Sequence, residues 1–389
     1  MMERSLKAKI SFLFLVFTCG LSADLDFTVS NTNYTISQDS IFPSDVTRYL
    51  YNYDRLRLRA DYKNEKFFAT IIADGVNYLD HDYVNSASFG YVKLVKSDTP
   101  FSTQSNFHES YDGNMYAKLY RFYVGYEDEH NRIVAGLQNI SMGVGKIWNP
   151  TNLFNPRNAY ALEPDEIFPV AAISYTRHID DVSHLTLVVS QKKDHSYKYA
   201  VRYKAFLEFA DVAVNIISSD ETKMIGYEIE GNLADTGIEV RSEGAYIKND
   251  LNIGLTDTEE VEFFQGIVGA DYGFENGLTL AIEALYTSKT FSYKEILNNI
   301  NSEILPNLLS STTYVGAALS YNFNLFLAGS LGYIESFNDE NSRFITPAIT
   351  YTFNDFNSFT LGALIQSGAE DSEFGMFSNS YYFNYSLSF

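Results

Sequence analysis

The sequence predicts an all-β fold: a transmembrane antiparallel up-and-down β-barrel of about 18 strands, with 16 as the main alternative count. Apolar and polar residues alternate along most of the chain. After the first 23 residues, no uncharged apolar stretch reaches the length of about 18 residues that a membrane-spanning helix needs. The 389 residues are 16% aromatic, yet the mean hydropathy is only −0.15, which suits strands that are apolar on one face. A secreted β-sandwich or β-helix is the alternative fold.

The start of the chain has the features of an export signal. Three basic residues precede a short apolar run at 10–17, and Leu21-Ser22-Ala23 offers a small-residue cleavage site. We therefore predict a signal peptide at 1–23 and one barrel domain at 24–389. The only cysteine, Cys19, lies in the signal, so we expect neither a disulfide nor a thiolate metal site in the mature chain.

The last segment of the chain shows the clearest alternation. Its apolar face holds Tyr381, Phe383, Tyr385, Leu387 and Phe389, and the residues between them are mainly polar. This segment resembles the C-terminal signal strand of bacterial outer-membrane barrels. The resemblance implies that Tyr385, Leu387 and Phe389 form an assembly signal. It also implies outer-membrane location, with the barrel-assembly machinery, outer-membrane lipid and lipopolysaccharide as partners.

The same alternation recurs along the chain, and the connections between the segments form a second pattern. Short connections alternate with longer ones, as expected for tight periplasmic turns and long outer loops. Residues 25–36 are the exception, because they alternate poorly for a first strand. The alternating segments are 55–62, 119–126, 237–246, 278–287 and 312–323, and the longer connections are 75–116, 139–168, 247–261, 288–311, 336–342 and 367–377.

The long connection at 139–168 contains the only tryptophan, Trp148, and is rich in Gly, Pro and Asn. Gly136-Leu137-Gln138, Gly143 and the run 148–156 are similar to a segment of porin-like outer-membrane proteins of proteobacteria. In that family a strand ends in Gly-x-Gln and a loop with an aromatic-Asn-Pro-Thr-Asp-Leu-Asn-Pro core follows, whereas this chain has Asn152 at the Asp position. We expect this loop either to fold into the lumen and constrict it or to cap the outer rim. The residues assigned to the constriction are Trp148, Asn149, Pro150, Asn152, Phe154 and Asn155.

Charged residues fall on the polar faces of the predicted strands, mostly basic early in the chain and acidic later. Closing the barrel would therefore make one side of the lumen basic and the other acidic, and such charges set the selectivity of pores. The alternative is pairing between neighbouring strands. Three inward arginines in a row, at 55, 57 and 59, should be less easily neutralised by neighbouring residues, which makes them the first candidates for a functional role. The residues assigned to selectivity are Arg55, Arg57, Arg59, Arg121, Arg132, Arg202, Glu228, Glu239 and Glu243, and Lys204, Glu230, Asp271 and Glu283 share these faces.

Two further features lie in the predicted outer loops. Carboxylates near 250–260, 335–340 and 370–373 could bind divalent cations at the rim, or they could form a solvated surface. Apolar residues at helical spacing predict a short helix over 293–305, ending before Pro306.

These features favour a passive outer-membrane channel for small hydrophilic solutes or ions. A structural or surface-binding barrel with an occluded lumen, and a transporter of hydrophobic substrates, are the alternatives. We expect no enzyme, cofactor or bound metal: around Gly145-Lys146 the phosphate-loop pattern fails, because Ile140 takes the place of its first glycine. The net charge of −21 argues against nucleic acid as a partner. A homotrimer is an option that no residue marks.

Overall fold

The computed structural model describes residues 24–40, 46–253, 257–337, 341–369, 372–375 and 377–389. The predicted signal peptide at 1–23 lies outside these residues. Within the ranges described, no helix combines the length and the apolar character needed to cross a membrane.

The chain forms a closed antiparallel β-barrel of 18 strands, which confirms the predicted fold and the larger strand count. Each of these strands pairs with the next in sequence, and the last pairs with the first to close the barrel. The strands are β1 Asp24–Asp39, β2 Arg48–Lys63, β3 Phe67–Leu79, β4 Gly113–Glu127, β5 Asn131–Gln138, β6 Val170–His178, β7 His184–Gln191, β8 Tyr197–Leu207, β9 Ala210–Ser218, β10 Thr222–Asn232, β11 Glu239–Asn252, β12 Thr258–Gly273, β13 Leu278–Thr287, β14 Thr313–Asn322, β15 Leu327–Phe337, β16 Ser342–Asn354, β17 Asn357–Ser367 and β18 Ser380–Ser388. A further two-residue strand, His108–Glu109, lies in the connection 80–112 and pairs with the strand Gly113–Glu127.

Alternation along the strands determines which side chains face outward. In β18, Tyr381 and Phe383 are 45% and 46% exposed, whereas Ser380 and Asn384 on the other face are buried. Successive side chains of a strand point to opposite sides, so the apolar set covers the outside of the barrel and the polar set faces its interior.

The two ends of the barrel differ in the length of their connections, as predicted. Short turns join the strands at the end where both described termini lie, for example at 64–66, 274–277 and 323–326. In one of them, Gly277 adopts φ +85°, a conformation that favours glycine. The connections at the other end include 80–112, 139–169 and 288–312.

The long connections contain short helices. α1 His81–Val84 and α2 Ala87–Leu94 lie between β3 and β4, and α3 Tyr293–Asn298 lies between β13 and β14. The predicted helix at 293–305 is therefore too long. It begins at a capping box between Ser292 and Glu295 but ends at Asn298, and only a 3₁₀ turn, Leu305–Asn307, follows.

The hydrophobic core of the protein lies inside the barrel, where these connections pack against the inner wall. One cluster joins Phe154 to residues of β6–β12, a second surrounds Trp148, and a third gathers tyrosines of β1 and β2 around Phe89. The long connections are thus anchored within the barrel by buried apolar side chains.

Candidate functional site in the barrel lumen

Loop 139–168 crosses the inside of the barrel. Its first part, 143–151, hydrogen-bonds to inward side chains of β10, β11 and β13, and its later part, 163–166, forms ion pairs with inward side chains of β2. Of the two arrangements expected for this loop, the structure has the one in which it folds into the lumen.

Three carboxylates hold the first part of the loop, and we call Glu228, Glu243 and Glu283 the acidic wall. Glu243 accepts hydrogen bonds from the backbone N–H groups of Val144, at 2.8 Å, and Thr151, also at 2.8 Å. Glu283 receives the N–H groups of Lys146, Ile147 and Trp148 at 2.8–3.2 Å, and Glu228 receives that of Gly143 at 2.9 Å.

Glu228 and Glu243, which were predicted to line the lumen as selectivity residues, face the barrel interior, but both are buried. Glu243 has no exposed surface and Glu228 is 2% exposed, because the loop covers them. Their carboxyl oxygens accept hydrogen bonds from backbone N–H groups of the loop, and Glu228 also pairs with Arg202, whose Nη2 lies 2.6 Å from Glu228 Oε2. The loop backbone is the partner that the strand pattern could not reveal.

Glycines allow the loop to lie this close to the acidic wall. Gly143 has φ +91°, and a Cβ there would stand 2.6 Å from Glu243 Oε2. A Cβ on the wall residue Gly316 would stand 2.5 Å from Ile147 Cδ1 and 3.0 Å from the Trp148 ring. Contacts below 3.0 Å would require atoms to move, so side chains at these two positions would displace the loop.

The opposite side of the lumen carries inward cations, and we call Arg55, Arg57, Arg59, Lys118 and Arg121 the basic wall. Arg55 binds Glu163 through two hydrogen bonds of 2.8 Å. Arg57 binds Asp74 of β3 at 2.7 and 2.8 Å and Glu166 at 2.8 and 2.9 Å. The basic wall is thereby joined to the later part of the loop.

The expectation that the three consecutive arginines would be hard to neutralise is therefore wrong. Besides the pairs of Arg55 and Arg57, Arg59 forms an ion pair with Asp61. Glu163 and Glu166 follow Arg55 by more than 100 residues, so no inspection of neighbouring strands could have found them. Arg59 keeps the most access to solvent, with 48% of its side chain exposed.

Burial and the arginines act in opposite directions on the two loop carboxylates. Burial is the largest influence on Glu163 and raises its pKa, despite the nearby Arg55. Burial also disfavours the charged form of Glu166, but its hydrogen bonds to Arg57 and the charge of Arg55 outweigh burial and lower its pKa. Glu166 is thus the more firmly ionised partner of the basic wall.

Lys118 and Arg121 complete the basic wall because β4 contains a bulge. The register of β3 with β4 shifts between Ile72 and Ala73, leaving Tyr120 as the extra residue of β4. Residues 118 and 121 consequently face the same side, although strict alternation would put them on opposite sides. Within the described chain neither forms an ion pair; both lie over the ring of Tyr120, at 5.0 and 4.1 Å from its centroid.

Two other predicted selectivity residues, Arg132 and Glu239, are partly exposed, and Arg132 lies away from the place where the loop crosses the lumen. Arg132 pairs with Glu127 at 3.3 Å, at the end of the barrel with the short turns, and 46% of its side chain is exposed. Glu239 lies 3.9 Å from Lys146 of the loop and 3.8 Å from Arg241.

The predicted constriction residues form the scaffold of the loop. Trp148, Pro150, Asn152, Phe154 and Asn155 are buried and Asn149 is half-buried. The Asn152 side chain donates to the Asn155 carbonyl at 2.8 Å and accepts the Asn155 N–H at 3.3 Å. An ionised Asp could not make the first of these bonds.

The residues that the loop presents to the basic wall, Glu163 and Glu166, were missed. The only hint of their role in the sequence is that they belong to the acidic segment 163–166 within the predicted loop.

The expectation about rim carboxylates finds no geometric support among the described residues. Within the described ranges, no three His, Cys, Asp or Glu side chains lie together in a group that could hold a metal ion. Asp339, Glu340, Glu370 and Asp371 lie outside the described part. Glu373 points inward instead and accepts hydrogen bonds from Ser310 and Tyr314.

Among known proteins, this chain resembles others in structure but not in sequence. No protein-family model matches the chain, and no curated protein matches it. The outer membrane protein OprD of Pseudomonas aeruginosa superposes with a TM-score of 0.61 at 9% identity, over 96% of this chain and 95% of OprD. Acinetobacter baumannii OccAB4 gives 0.59 at 10% identity, over 95% and 99%. Pseudomonas aeruginosa OpdK, solved with vanillate, gives 0.56 at 10%, over 94% and 98%. The chain therefore shares the fold of these proteins along almost its whole length.

Proposed function

We propose that this chain, a closed 18-stranded barrel with the fold of OprD and the Occ proteins, is an outer-membrane channel for passive diffusion of small hydrophilic solutes. The short-turn end would face the periplasm and the long connections the exterior. Loop 139–168 would act as the constriction, because it spans the lumen between the acidic and the basic wall. That crossing is the single observation that carries the proposal.

Charge on the two walls gives the proposed channel a preference for anions. The loop backbone screens the acidic wall, whereas Lys118, Arg121 and the half-exposed Arg59 lack a loop carboxylate. A passing anion would meet Lys118 and the half-exposed Arg59, of which Arg59 pairs with Asp61, whereas Arg121 is itself buried. Charged side chains of this kind determine ion selectivity in pores. The solute class we propose is therefore small hydrophilic anions, despite the acidic composition of the whole chain.

Conductance of the refolded protein in planar bilayers tests this proposal. Glu163→Gln with Glu166→Gln removes two negative charges opposite the basic wall and preserves the shape of both side chains. We expect the reversal potential in a salt gradient to move toward greater anion preference. Glu129→Gln, in an exposed turn at the other end, is the matched control. Equal reversal potentials for the double variant and the wild type would contradict an anion-selective basic wall.

A second candidate function is a structural or surface-binding barrel whose lumen is closed. The three apolar clusters between the long connections and the inner wall favour it, because they fill interior space. A liposome-swelling assay distinguishes the two: a channel admits a small sugar, and a closed barrel does not. Neither candidate includes a catalytic step.

A further inference from the structure

Five polar side chains lie on the outer face of β1–β3, and we call them the outer polar patch. They are Asn31 and Asn33 of β1, Asn52 and Asp54 of β2, and Asn77 of β3. Asp54 is directly opposite Asn33 on one side and Asn77 on the other. All five share the outward face with Leu56 and Leu58, which are 44% and 52% exposed, and each is itself partly exposed.

Outward apolar residues border the outer polar patch on most sides, but on β1 the outward Thr35 and Ser37 continue it toward the end with the long connections. Along the strands, Val29 and Leu56 follow it toward one end of the barrel, and Leu50 and Leu79 toward the other; all four are exposed. Across neighbouring strands, Tyr385 is opposite Asn33 and Met115 is opposite Asn77. The patch therefore interrupts the apolar band across β1–β3, and it explains why residues 25–36 alternate poorly in sequence.

Hydrocarbon is a poor environment for the outer polar patch. Lipid tails can neither donate nor accept hydrogen bonds, so amides and a carboxylate in contact with them lose the interactions that water would provide. On the outside of a membrane barrel, charged side chains are destabilising in proportion to their depth. A cluster of one carboxylate and four amides consequently needs a polar cover.

Contacts within the patch satisfy only some of its groups. Asn31 and Asn33 each donate to Asp54 Oδ1 at 2.9 Å, and Asn33 and Asn52 exchange hydrogen bonds of 3.1 and 2.9 Å. In the described part of the chain, the second oxygen of Asp54, the side-chain carbonyl of Asn31 and the whole amide of Asn77 have no hydrogen-bond partner. Among the residues described, hydrogen-bond acceptors without a donor, on Asp54 and Asn31, thus lie next to an amide without a partner, on Asn77.

Small residues next to the patch leave room for another backbone. Ala73 and Gly75 occupy the two outward positions of β3 next to Asn77, the outward Ile71 and Ala69 follow, and a Cβ built on Gly75 meets no atom within 4 Å. Small residues that permit close approach, together with polar side chains that bond across the contact, are the features that hold membrane-embedded segments together.

We propose that the outer face of β1–β3 is the surface on which a second copy of this chain docks in the membrane. The patch complements itself: the Asn77 amide of one copy can donate to the free Asp54 and Asn31 oxygens of the next, and receives the same contact where symmetry closes the assembly. This inference rests on the membrane location of the proposed function but not on conduction.

Cross-linking in native outer membranes tests the proposal. Gly75→Cys, in a Cys19→Ser background, places a thiol beside the patch without removing any of its polar groups. Ile173→Cys is the control, on the outward face of β6 and 59% exposed. A short bis-maleimide should shift Gly75→Cys to a band of at least twice the mass of one chain and leave Ile173→Cys unshifted. Equal cross-linking of both variants, or an adduct containing a different protein, would overturn the proposal.

A second measurement removes the polar groups themselves. Asp54→Leu with Asn77→Leu should convert the oligomer of the wild type on native gels into a monomer that still shows the heat-modifiable migration of a folded barrel. Ile173→Leu, the control, should leave the oligomer intact. A monomeric wild type, or an oligomer unchanged in the double variant, would refute docking here. Loss of conductance with an intact oligomer would instead count against the proposed channel alone.

Discussion

Single glycines determine how closely the loop approaches the acidic wall. Gly143 combines a positive φ with a position where even one methyl group would meet the Glu243 carboxylate. The requirement is steric and local, but it exists only because a loop and a strand 100 residues apart meet there. The sequence of a Gly-rich loop reveals neither the positive φ of this glycine nor its closeness to Glu243.

Gly143→Ala should weaken loop docking by about 1–3 kcal/mol, the usual cost of a strained non-glycine backbone. We expect a noisier and larger single-channel current, because the loop would leave the acidic wall part of the time. Gly273→Ala is the control, since a Cβ there meets nothing within 4 Å. A quiet current of wild-type size in Gly143→Ala would show that the loop tolerates the methyl group.

At the scale of elements, connection 288–312 is held by a buried charge cluster. Glu303 lies 2.9 Å from Lys192, in the connection between β7 and β8, and 2.7 Å from Lys198 of β8. Burial disfavours the charged form of Glu303, but the charge of Lys198, a hydrogen bond from Ser219 and Lys192 outweigh it and lower the pKa of Glu303. The connection is therefore docked by an ionised carboxylate.

The docking of this connection should depend on pH. Because the pKa of Glu303 is lower in the folded protein than in the unfolded chain, its stabilisation is complete above the unfolded pKa and is lost as the pH falls through the folded pKa. We expect protease cleavage within 288–312 to increase on acidification, in detergent-solubilised protein. Glu303→Gln should cleave readily at neutral pH and show a much weaker response to acid. A wild-type cleavage rate independent of pH would contradict this role.

For the whole molecule, closure depends on the two terminal strands. β18 pairs with β1 over nine residue pairs, from Ser30 with Ser388 to Gln38 with Ser380. Beyond the last pair, Phe389 and Val29 exchange backbone hydrogen bonds of 2.9 and 3.1 Å. The terminal residue thus takes part in the seam, while its ring, 64% exposed, faces outward.

The proposed assembly signal predicts that Phe389→Ala lowers the amount of folded protein in the outer membrane. The substitution keeps the backbone bonds to Val29 and removes only the terminal aromatic ring, so refolding of the purified chain in detergent should be nearly unaffected. Phe356→Ala is the control, because its ring lies 5.6 Å from that of Phe389 and is also exposed. Equal amounts of heat-modifiable protein in cells for wild type and Phe389→Ala would argue against recognition of the ring.

The sequence by itself determined the strands, their inner and outer faces, and the asymmetry of the two barrel ends. These are local properties: alternation with a period of two, and turn residues between alternating runs, can be read within a dozen neighbouring positions. The position of the lumen arginines at 55, 57 and 59 was predictable for the same reason.

Only the tertiary structure decided which residues contact the inner and outer faces of the strands. The pairing of Arg55 with Glu163, the burial of Glu243 beneath Val144 and Thr151, and the addition of Lys118 by the bulge at Tyr120 all depend on where distant segments come together. The outer polar patch likewise appeared only once the register placed Asn33, Asp54 and Asn77 side by side. A pattern along one strand reports its own two faces, whereas the partners of those faces are set by closure of the barrel and the path of its loops.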